Sequence, residues 1–275
     1  MFPSLLLSLR EGIEAALIIG IIIGALTKLH QEELKPVVWR GVAIAVVLSL
    51  VFGFGLNYIG MEFEGQFEEV FEGIAMLLAA AILTWMILWM QRHGSQMQQE
   101  LEAKTTMATK DRSGSALFVL AFLAVFREGV ELAIFLLAIR AASNPSSVLI
   151  GAALGLGSAI FLGWMIFAST RKLKLRQFFQ ITNVLLLFFA AGLVALGVHE
   201  LNEAGWIPPI IENVWNMNHI ISDTSEVGLL LKALFGYNGN PSLSEVFAYL
   251  GYFLILGAII LKNQRRPMNR KAITA

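Results

Sequence analysis

The chain has 275 residues, of which 57% are hydrophobic and 15% are charged, whereas an average soluble domain is roughly 25% charged. This composition excludes an ordinary water-soluble globular protein. Twenty basic and twenty acidic side chains cancel to a formal net charge of zero, which argues against a nucleic-acid-binding protein. The absence of cysteine excludes disulfides, iron–sulfur clusters and thiolate metal sites.

Apolar stretches close to the roughly 20 residues that cross a bilayer predict the membrane-spanning helices. Five stretches contain no charged residue, and two more have the right length and hydrophobicity although charges interrupt them. Counting both kinds, the sequence predicts an all-α polytopic membrane protein with seven transmembrane helices. In chain order these lie within Phe2–Thr27, Gly41–Met61, Gly73–Gln91, Gly114–Ile139, Val148–Thr170, Gln177–Val198 and Val246–Leu261.

Basic residues concentrate in alternate connections between the predicted helices. Cytoplasmic loops carry an excess of lysine and arginine, so this bias predicts an N-terminus outside and a cytoplasmic C-terminus. Termini on opposite sides require an odd number of membrane crossings, which agrees with seven helices. The basic residues assigned to the cytoplasmic side are Lys28, Lys35, Arg40, Arg92, Lys104, Lys110, Arg112, Arg171, Lys172, Lys174, Arg176, Lys262, Arg265, Arg266, Arg270 and Lys271. Arg140 and Lys232 lie on the opposite side.

The same pattern predicts one permease domain made of two repeats and an extra helix. Its parts are repeat A (1–91), a cytoplasmic loop (92–113), repeat B (114–200), a periplasmic loop (201–244), the seventh helix (245–262) and a cytoplasmic tail (263–275). Within the periplasmic loop, the apolar pieces Ile207–Ile221 and Val227–Tyr237 are interpreted as short interfacial or re-entrant helices.

The charges within the first and fourth spans follow one pattern. Arg10–Glu14 reads Arg-Glu-Gly-Ile-Glu, and Arg127–Glu131 reads Arg-Glu-Gly-Val-Glu. Each charge near a helix centre costs about 2.5–3.5 kcal/mol on insertion. In both copies the arginine and the two glutamates share one helical face. These faces must therefore contact protein or water, because lipid cannot accommodate them.

The two copies lie in spans of opposite direction, three spans apart. This relation predicts a 3+3 inverted repeat, with the seventh helix outside it. Transporters built from inverted repeats place their substrate site near the bilayer midplane at the repeat interface. The two motifs are therefore expected to meet there.

Each motif contains an arginine and a glutamate four residues apart, so an ion pair that holds helices together is the simpler interpretation of one copy. Two copies supply four carboxylates, Glu11, Glu14, Glu128 and Glu131, against two guanidinium groups, Arg10 and Arg127. The formal charge of −2 that remains requires a counter-ion. Oxygen-only ligands favour a hard metal cation. The sequence therefore predicts a metal and translocation site with the two arginines as supporting charges.

A second acidic group is predicted at the outer side. Glu68, Glu69 and Glu72 lie at the start of the third span, and His199 and Glu200 close the sixth. We interpret these five residues as a candidate site that first binds metal arriving from outside. The alternative interpretation is a solvated acidic turn.

Other classes of protein fit the sequence less well. A membrane-embedded carboxylate metalloenzyme would need histidines within its spans, whereas His30, His93 and His219 lie in connecting segments. A permease for manganese or lead is a closer alternative, because carboxylates discriminate weakly among such ions. A structural scaffold leaves the doubled carboxylates unexplained. The methionines, including Met86, Met90 and Met97, share no repeated face, which argues against a soft-metal methionine ladder.

With the Arg-Glu-Gly-aliphatic-Glu motif in both halves, the chain resembles the high-affinity iron permease family of the oxidase-dependent iron transporter superfamily, and within it the bacterial EfeU-type permeases. The resemblance covers essentially the whole chain. Its shorter elements are Phe71–Ile74, Ile82–Met86, His199–Glu203 with Ala204 and Gly205, Phe235–Tyr237, and Ser244–Val246.

This resemblance implies an iron permease of the plasma membrane, the inner membrane in bacteria, and not an enzyme. It implies that the glutamates of the two motifs handle ferrous or ferric iron, with the arginines beside them. Iron is then the transported substrate, and no cofactor is expected. The bacterial members also imply two partners, a periplasmic iron-binding protein and a haem peroxidase. Membrane lipid is the remaining expected contact.

Overall fold

A computed structural model describes residues 1–93, 97–109, 114–141, 143–168, 175–223 and 225–264. These parts of the chain fold into α-helices and contain no β-strand. A short 3₁₀ helix, Glu32–Leu34, precedes the second α-helix. The α-helices are α1 (Phe2–Lys28), α2 (Lys35–Glu62), α3 (Gln66–His93), α4 (Met97–Ala108), α5 (Ser115–Ala141), α6 (Pro145–Ala168), α7 (Leu175–Glu203), α8 (Glu226–Phe235) and α9 (Leu243–Gln264).

Five helices in the described part of the chain are long and apolar enough to cross a membrane. They cover Glu32–Gly60, Gln66–Gln91, Pro145–Met165, Phe178–Glu203 and Leu243–Lys262. The 27-residue helices α1 and α5 have the length to cross as well, but the charged motifs set them apart from the other five. An all-helical protein with several membrane spans is thus confirmed.

Helices from the two predicted repeats pair crosswise. The first helix of repeat A, α1, packs along α6, and the first helix of repeat B, α5, packs along α2. At these crossings Gly155 faces the backbone of Leu5, and Gly41 faces the backbone of Phe118. Because residues early in one helix meet residues early in the other, each pair runs parallel. A glycine at each crossing lets the two backbones approach closely.

Further large contacts join helices that hold the same place in the two predicted repeats. Helix α3 packs against α7, and α1 packs against α5. Gly73 and Gly197 face each other's carbonyl oxygens, so the beginning of α3 lies beside the end of α7 and the two helices are antiparallel. Helix α9 packs against α7.

The prediction of a short helix over Ile207–Ile221 is wrong. This segment forms turns and irregular backbone, because Pro208 and Pro209 lack the N–H groups that a helix would use. Its backbone is instead tied to the segment before α9, where the N–H of Met217 donates to the carbonyl of Gly239 at 2.7 Å. The predicted helix over Val227–Tyr237 agrees with α8, which ends where Gly236 adopts a left-handed conformation with φ of 67°.

The predicted cytoplasmic loop contains a helix that the sequence did not predict. Helix α4 lies within residues 92–113 and packs against α1 and α5, the two helices that carry the charged motifs. Lys28 at the end of α1 pairs with Glu102 of α4. Several basic residues used to predict the orientation lie outside the described residues, namely Lys110, Arg112, Arg171, Lys172, Lys174, Arg265, Arg266, Arg270 and Lys271.

Candidate metal site

The contact between α1 and α5 brings the two charged motifs together. One carboxylate oxygen each from Glu11, Glu128 and Glu131 lies within 4.8 Å of the other two. Glu14 lies one turn along α1, and all four carboxylates are buried. We call Glu11, Glu14, Glu128 and Glu131 the carboxylate cluster. Glu11, Glu128 and Glu131 form a group that can hold a metal ion.

Arg10 is enclosed completely, with a side-chain exposure of 0%. Its Nη1 lies 3.2 Å from Oε1 of Glu11, and its Nη2 lies 2.9 Å from Oε1 of Glu14. The same two nitrogens lie 3.4 Å and 3.9 Å from the sulphurs of Met86 and Met90 on α3. One guanidinium thus joins both carboxylates of its own motif to the third helix.

Arg127 occupies a different environment, although it holds the same place in its motif. Its Nε donates to Oε1 of Glu131 at 2.7 Å, and 41% of its side chain is exposed. The guanidinium carbon lies 5.8 Å and 5.6 Å from the ring centroids of Trp85 and Trp89, also on α3. Such distances give a cation–π interaction.

The ion pairs leave the carboxylate cluster without full compensation. Among the described residues, Arg10 pairs with Glu11 and Glu14, Arg127 pairs with Glu131, and Glu128 has no salt bridge. Buried oxygens of Glu11, Glu128 and Glu131 also lack a hydrogen-bond partner. Four carboxylates and two guanidinium groups leave a formal charge of −2. A divalent cation would neutralise this charge and satisfy the unpaired oxygens.

The glycine within each motif permits the packing that positions the carboxylates. A Cβ at Gly12 would lie 2.5 Å from that of Ala159 on α6, and a Cβ at Gly129 would overlap the side chain of Ser49 on α2. Each motif helix therefore presents its glutamates to the other motif helix and its glycine to α6 or α2, a helix of the other predicted repeat.

Hydrophobic contacts close the carboxylate cluster on two sides. Leu7 lies one turn before Glu11, and Phe135 lies one turn after Glu131. Both belong to one buried core. One turn after Glu14 on α1, Ile18 belongs to a second buried core that also contains Val125 of α5. The carboxylates thus lie between two apolar layers.

The five residues of the candidate outer site are not all brought together. Glu72 lies within electrostatic range of Glu68, Arg140 and Glu200. These acidic groups form no set of three metal-ligating atoms within the part of the chain that the structure describes. Glu69 is half-buried on α3, three residues before Glu72.

His199 has partners that indicate a structural position. Its Nδ1 lies 3.0 Å from Oε1 of the buried Glu245, and its Nε2 lies 3.4 Å from Glu203. Glu245 also accepts hydrogen bonds from Asn238 and from the backbone N–H of Ser242. These contacts join α7 to the start of α9.

Sequence reasoning missed the four α3 residues that contact the arginines. Trp85, Met86, Trp89 and Met90 occupy an apolar span in which neither hydrophobicity nor spacing distinguishes them from residues facing lipid. The family resemblance includes the stretch with Trp85 and Met86, but it implies no role for either residue.

The sequence profile of the Iron permease FTR1 family matches residues 1–266. The chain belongs to this family. Relatives named ferrous iron permease EfeU occur in Escherichia coli O6:H1, with 37% identity over 92% of this chain and 93% of the relative, and in Yersinia pestis, with 36% identity over 95% and 93%. The same name and 36% identity apply to a protein of Shigella sonnei strain Ss046. No solved structure matches the chain significantly.

Membership of the iron permease family, together with the apolar helices, identifies the chain as a multi-pass inner-membrane protein. The resemblance deduced from the two charged motifs is thereby confirmed. The relatives are named as permeases, which fits a transporter.

Proposed function

We propose that this chain is a permease that moves iron into the cytoplasm through the carboxylate cluster. The observation that carries the proposal is the cluster's uncompensated charge, because a buried −2 is stable only with a cation. The names of the relatives support iron as the cargo. Iron is then the substrate of the site.

Ferrous iron fits the cluster better than ferric iron. Four carboxylates less two guanidinium groups give −2, which a divalent ion neutralises and a trivalent ion exceeds. The relatives named as ferrous iron permeases support the same choice.

The proposed architecture has seven membrane spans, α1 to α3 and α5 to α7 as inverted repeats and α9 as the extra span. The crosswise pairing of α1 with α6 and of α2 with α5 supports this, because exchanging the repeats converts one pair into the other. The contacts between equivalent helices, α3 with α7 and α1 with α5, then lie at the pseudo-twofold axis. The proposed position of the carboxylate cluster, near the middle of the membrane, follows from this arrangement.

The proposed orientation has the N-terminus outside. Lys28, Lys35 and Arg40 surround the connection between α1 and α2, and Lys104 lies on α4, so all four belong to one side. The positive-inside rule makes that side cytoplasmic. A divalent cation then gains about 4.6 kcal/mol on entering a cell at −100 mV, since each charge contributes about 2.3 kcal/mol.

Passage through the cluster requires its two apolar layers to open in turn. In the proposed orientation, Leu7 and Phe135 close the outer side, and Ile18 and Val125 close the cytoplasmic side. The inverted repeat supplies a means, since rocking one repeat against the other opens the layers alternately. The acidic group around Glu72 and Glu200 lies beyond the outer layer, where it would attract arriving cations.

Segment 201–244 is the proposed docking region for external partners. It faces the outside in this orientation, and its backbone is tied to the start of α9. The family resemblance suggests a periplasmic iron-binding protein and a haem peroxidase as those partners.

Uptake of radiolabelled iron into proteoliposomes tests the proposal. Wild-type protein, with iron kept reduced and a negative interior potential imposed, should accumulate iron. Glu128→Gln should lower the rate at least about tenfold, as loss of a metal-site group does. Glu33→Gln, on an exposed carboxylate outside the cluster, is the matched control and should transport normally.

Equal uptake by wild type and Glu128→Gln would refute the role of the carboxylate cluster. Radiolabelled manganese, offered in a parallel experiment, tests the alternative cargo. Faster uptake of manganese than of iron would show that the chain is a manganese permease.

A further inference from the structure

Two methionine sulphurs face the carboxylate cluster across the guanidinium of Arg10. The sequence shows no face shared by all the methionines, but Met86 and Met90 are four residues apart on α3 and lie on one face of that helix. Met86 is buried, and its Sδ lies 3.4 Å from Nη1 of Arg10; the Sδ of Met90 lies 3.9 Å from Nη2. Sulphur is a weak acceptor for an arginine. Hydrogen bonding to Arg10 therefore does not by itself explain why two methionines lie beside it.

One guanidinium nitrogen of Arg10 lies between each sulphur and a carboxylate. Nη1 contacts both Glu11 and Met86, and Nη2 contacts both Glu14 and Met90. Two oxygens and two sulphurs thus surround one positively charged group. Four donors of this kind are also a suitable set of ligands for a metal cation of borderline softness.

Arg10 forms two ion pairs and Arg127 forms one among the described residues, but one donor of Arg10 is left unused. Its Nε is buried without a hydrogen-bond partner, whereas the Nε of Arg127 donates to Glu131 at 2.7 Å. A divalent cation bound by Glu11, Glu128 and Glu131 would repel Arg10 strongly, because both are positive and both positions are buried. Displacement of Arg10 would release the carboxylates and both sulphurs.

We propose that Met86 and Met90 are selectivity-determining ligands, which bind ferrous iron together with Glu11 and Glu14 in the position that Arg10 occupies here. This inference rests on the proposed function, and it adds a second position for the ion and a source of its selectivity.

Thioether sulphur distinguishes ferrous iron from harder divalent ions. Carboxylate and water suit magnesium, calcium and manganese, whereas thioether ligands select softer metals, and methionine is an established ligand of iron in haem proteins. Methionine has three rotatable bonds in its side chain. The sulphurs can therefore move from their present distances to those of a metal bond without movement of the helix.

A packing role for the two methionines predicts a different behaviour. Any apolar side chain of similar volume would then serve, and the preference among metals would not depend on the chemistry of the side chain. The two explanations are separated by replacing the donor while keeping the volume.

The experiment compares Met86→Leu/Met90→Leu, Met86→Gln/Met90→Gln and wild type in full-length protein in proteoliposomes. Leucine removes the donor, glutamine supplies an oxygen donor, and both have nearly the volume of methionine. The readout is the ratio of ferrous iron uptake to manganese uptake, measured with radiolabelled ions without oxygen. Met76→Leu changes a buried methionine of the same helix that lies ten residues before Met86, about 15 Å along α3, and serves as the matched control.

The leucine pair should lower the ratio of iron to manganese uptake about tenfold, as loss of a metal-site partner does. The glutamine pair should lower the ratio further by increasing manganese uptake, and Met76→Leu should leave the ratio unchanged. Equilibrium dialysis of the purified proteins against each metal gives the same ratio for a variant that folds but does not transport.

An unchanged ratio in both double variants would overturn the assignment of the sulphurs. Because wild-type uptake and the ratio are measured separately, failure of this inference differs from failure of the proposed function. In the latter case the wild type itself would take up no iron.

Discussion

Glu128 and Glu131 are neighbours on one face of α5, yet their electrostatic environments differ. Glu131 accepts a 2.7 Å hydrogen bond from Arg127. Glu128 has no ion pair within the described parts of the chain, and one of its oxygens is buried without a donor. The unpaired carboxylate is expected to destabilise the metal-free protein, while the paired one stabilises it.

Isosteric replacement should therefore change stability in opposite directions. Glu128→Gln removes a buried negative charge beside two others and should raise the midpoint of thermal unfolding in metal-free detergent solution. Glu131→Gln replaces the charged acceptor of Arg127 by a neutral amide oxygen and should lower the stability by about 1 kcal/mol. A decrease of similar size in both variants would show that Glu128 has a cationic partner.

The site residues that could be predicted from the sequence are those whose presence in an apolar helix is energetically costly. Arg10, Glu11 and their counterparts are conspicuous because lipid cannot solvate them. Met86 and Trp85 have no such cost. Their contacts with the arginines follow from helix packing, which the sequence does not specify.

At the scale of the helices, the motif glycines determine how α1 and α5 are oriented. Gly12 contacts α6 and Gly129 contacts α2, so each motif helix is fixed in rotation by a helix of the opposite repeat. That rotation is what directs Glu11 and Glu128 toward each other.

Adding one methyl group at these positions should disturb the contact. Gly12→Ala forces α1 away from Ala159 and should destabilise the protein by about 1–3 kcal/mol, as overpacking does, with weaker iron binding. Gly24→Ala is the matched control on the same helix, since nothing lies within 4 Å of its added Cβ. Alanine favours helix over glycine by about 1 kcal/mol, so this control should be as stable as wild type or more so. Thermal unfolding of both variants in one detergent checks the prediction, and a stable Gly12→Ala protein would contradict it.

Two elements show where the sequence was insufficient at this scale. Hydrophobicity over Ile207–Ile221 suggested a helix, but Pro208 and Pro209 remove N–H donors, and Met217 bonds instead to Gly239. Helix α4 was not predicted because its segment is polar. It is positioned by contacts with α1 and α5, and its Leu101 and Ala108 pack against the second buried core.

At the scale of the whole molecule, the two predicted repeats pack in a similar way, but their arginines lie in different environments. Arg10 is fully buried, and 41% of Arg127 is exposed. A transporter that works by exchanging the conformations of its two halves is expected to show this asymmetry in each of its states. In the proposed reaction, the opposite state would expose Arg10 and enclose Arg127.

The proposed topology can be tested readily because the natural chain has no cysteine. Glu33→Cys lies between α1 and α2, and Glu212→Cys lies between α7 and α8, both at exposed positions. With the N-terminus outside, a membrane-impermeant maleimide should label Glu212→Cys in intact spheroplasts and Glu33→Cys only after permeabilisation. The reverse pattern would invert the orientation, and labelling of both in intact spheroplasts would refute the number of crossings between them.

The most direct test of the carboxylate cluster as a cation site is an experimental structure with ferrous iron, using anomalous scattering at the iron absorption edge. An anomalous peak between Glu11, Glu128 and Glu131 is expected, with Arg10 displaced from Glu11, and the peak should be absent in Glu128→Gln. A map in which iron binds elsewhere, while Arg10 and Arg127 keep their carboxylate partners, would contradict the proposed mechanism.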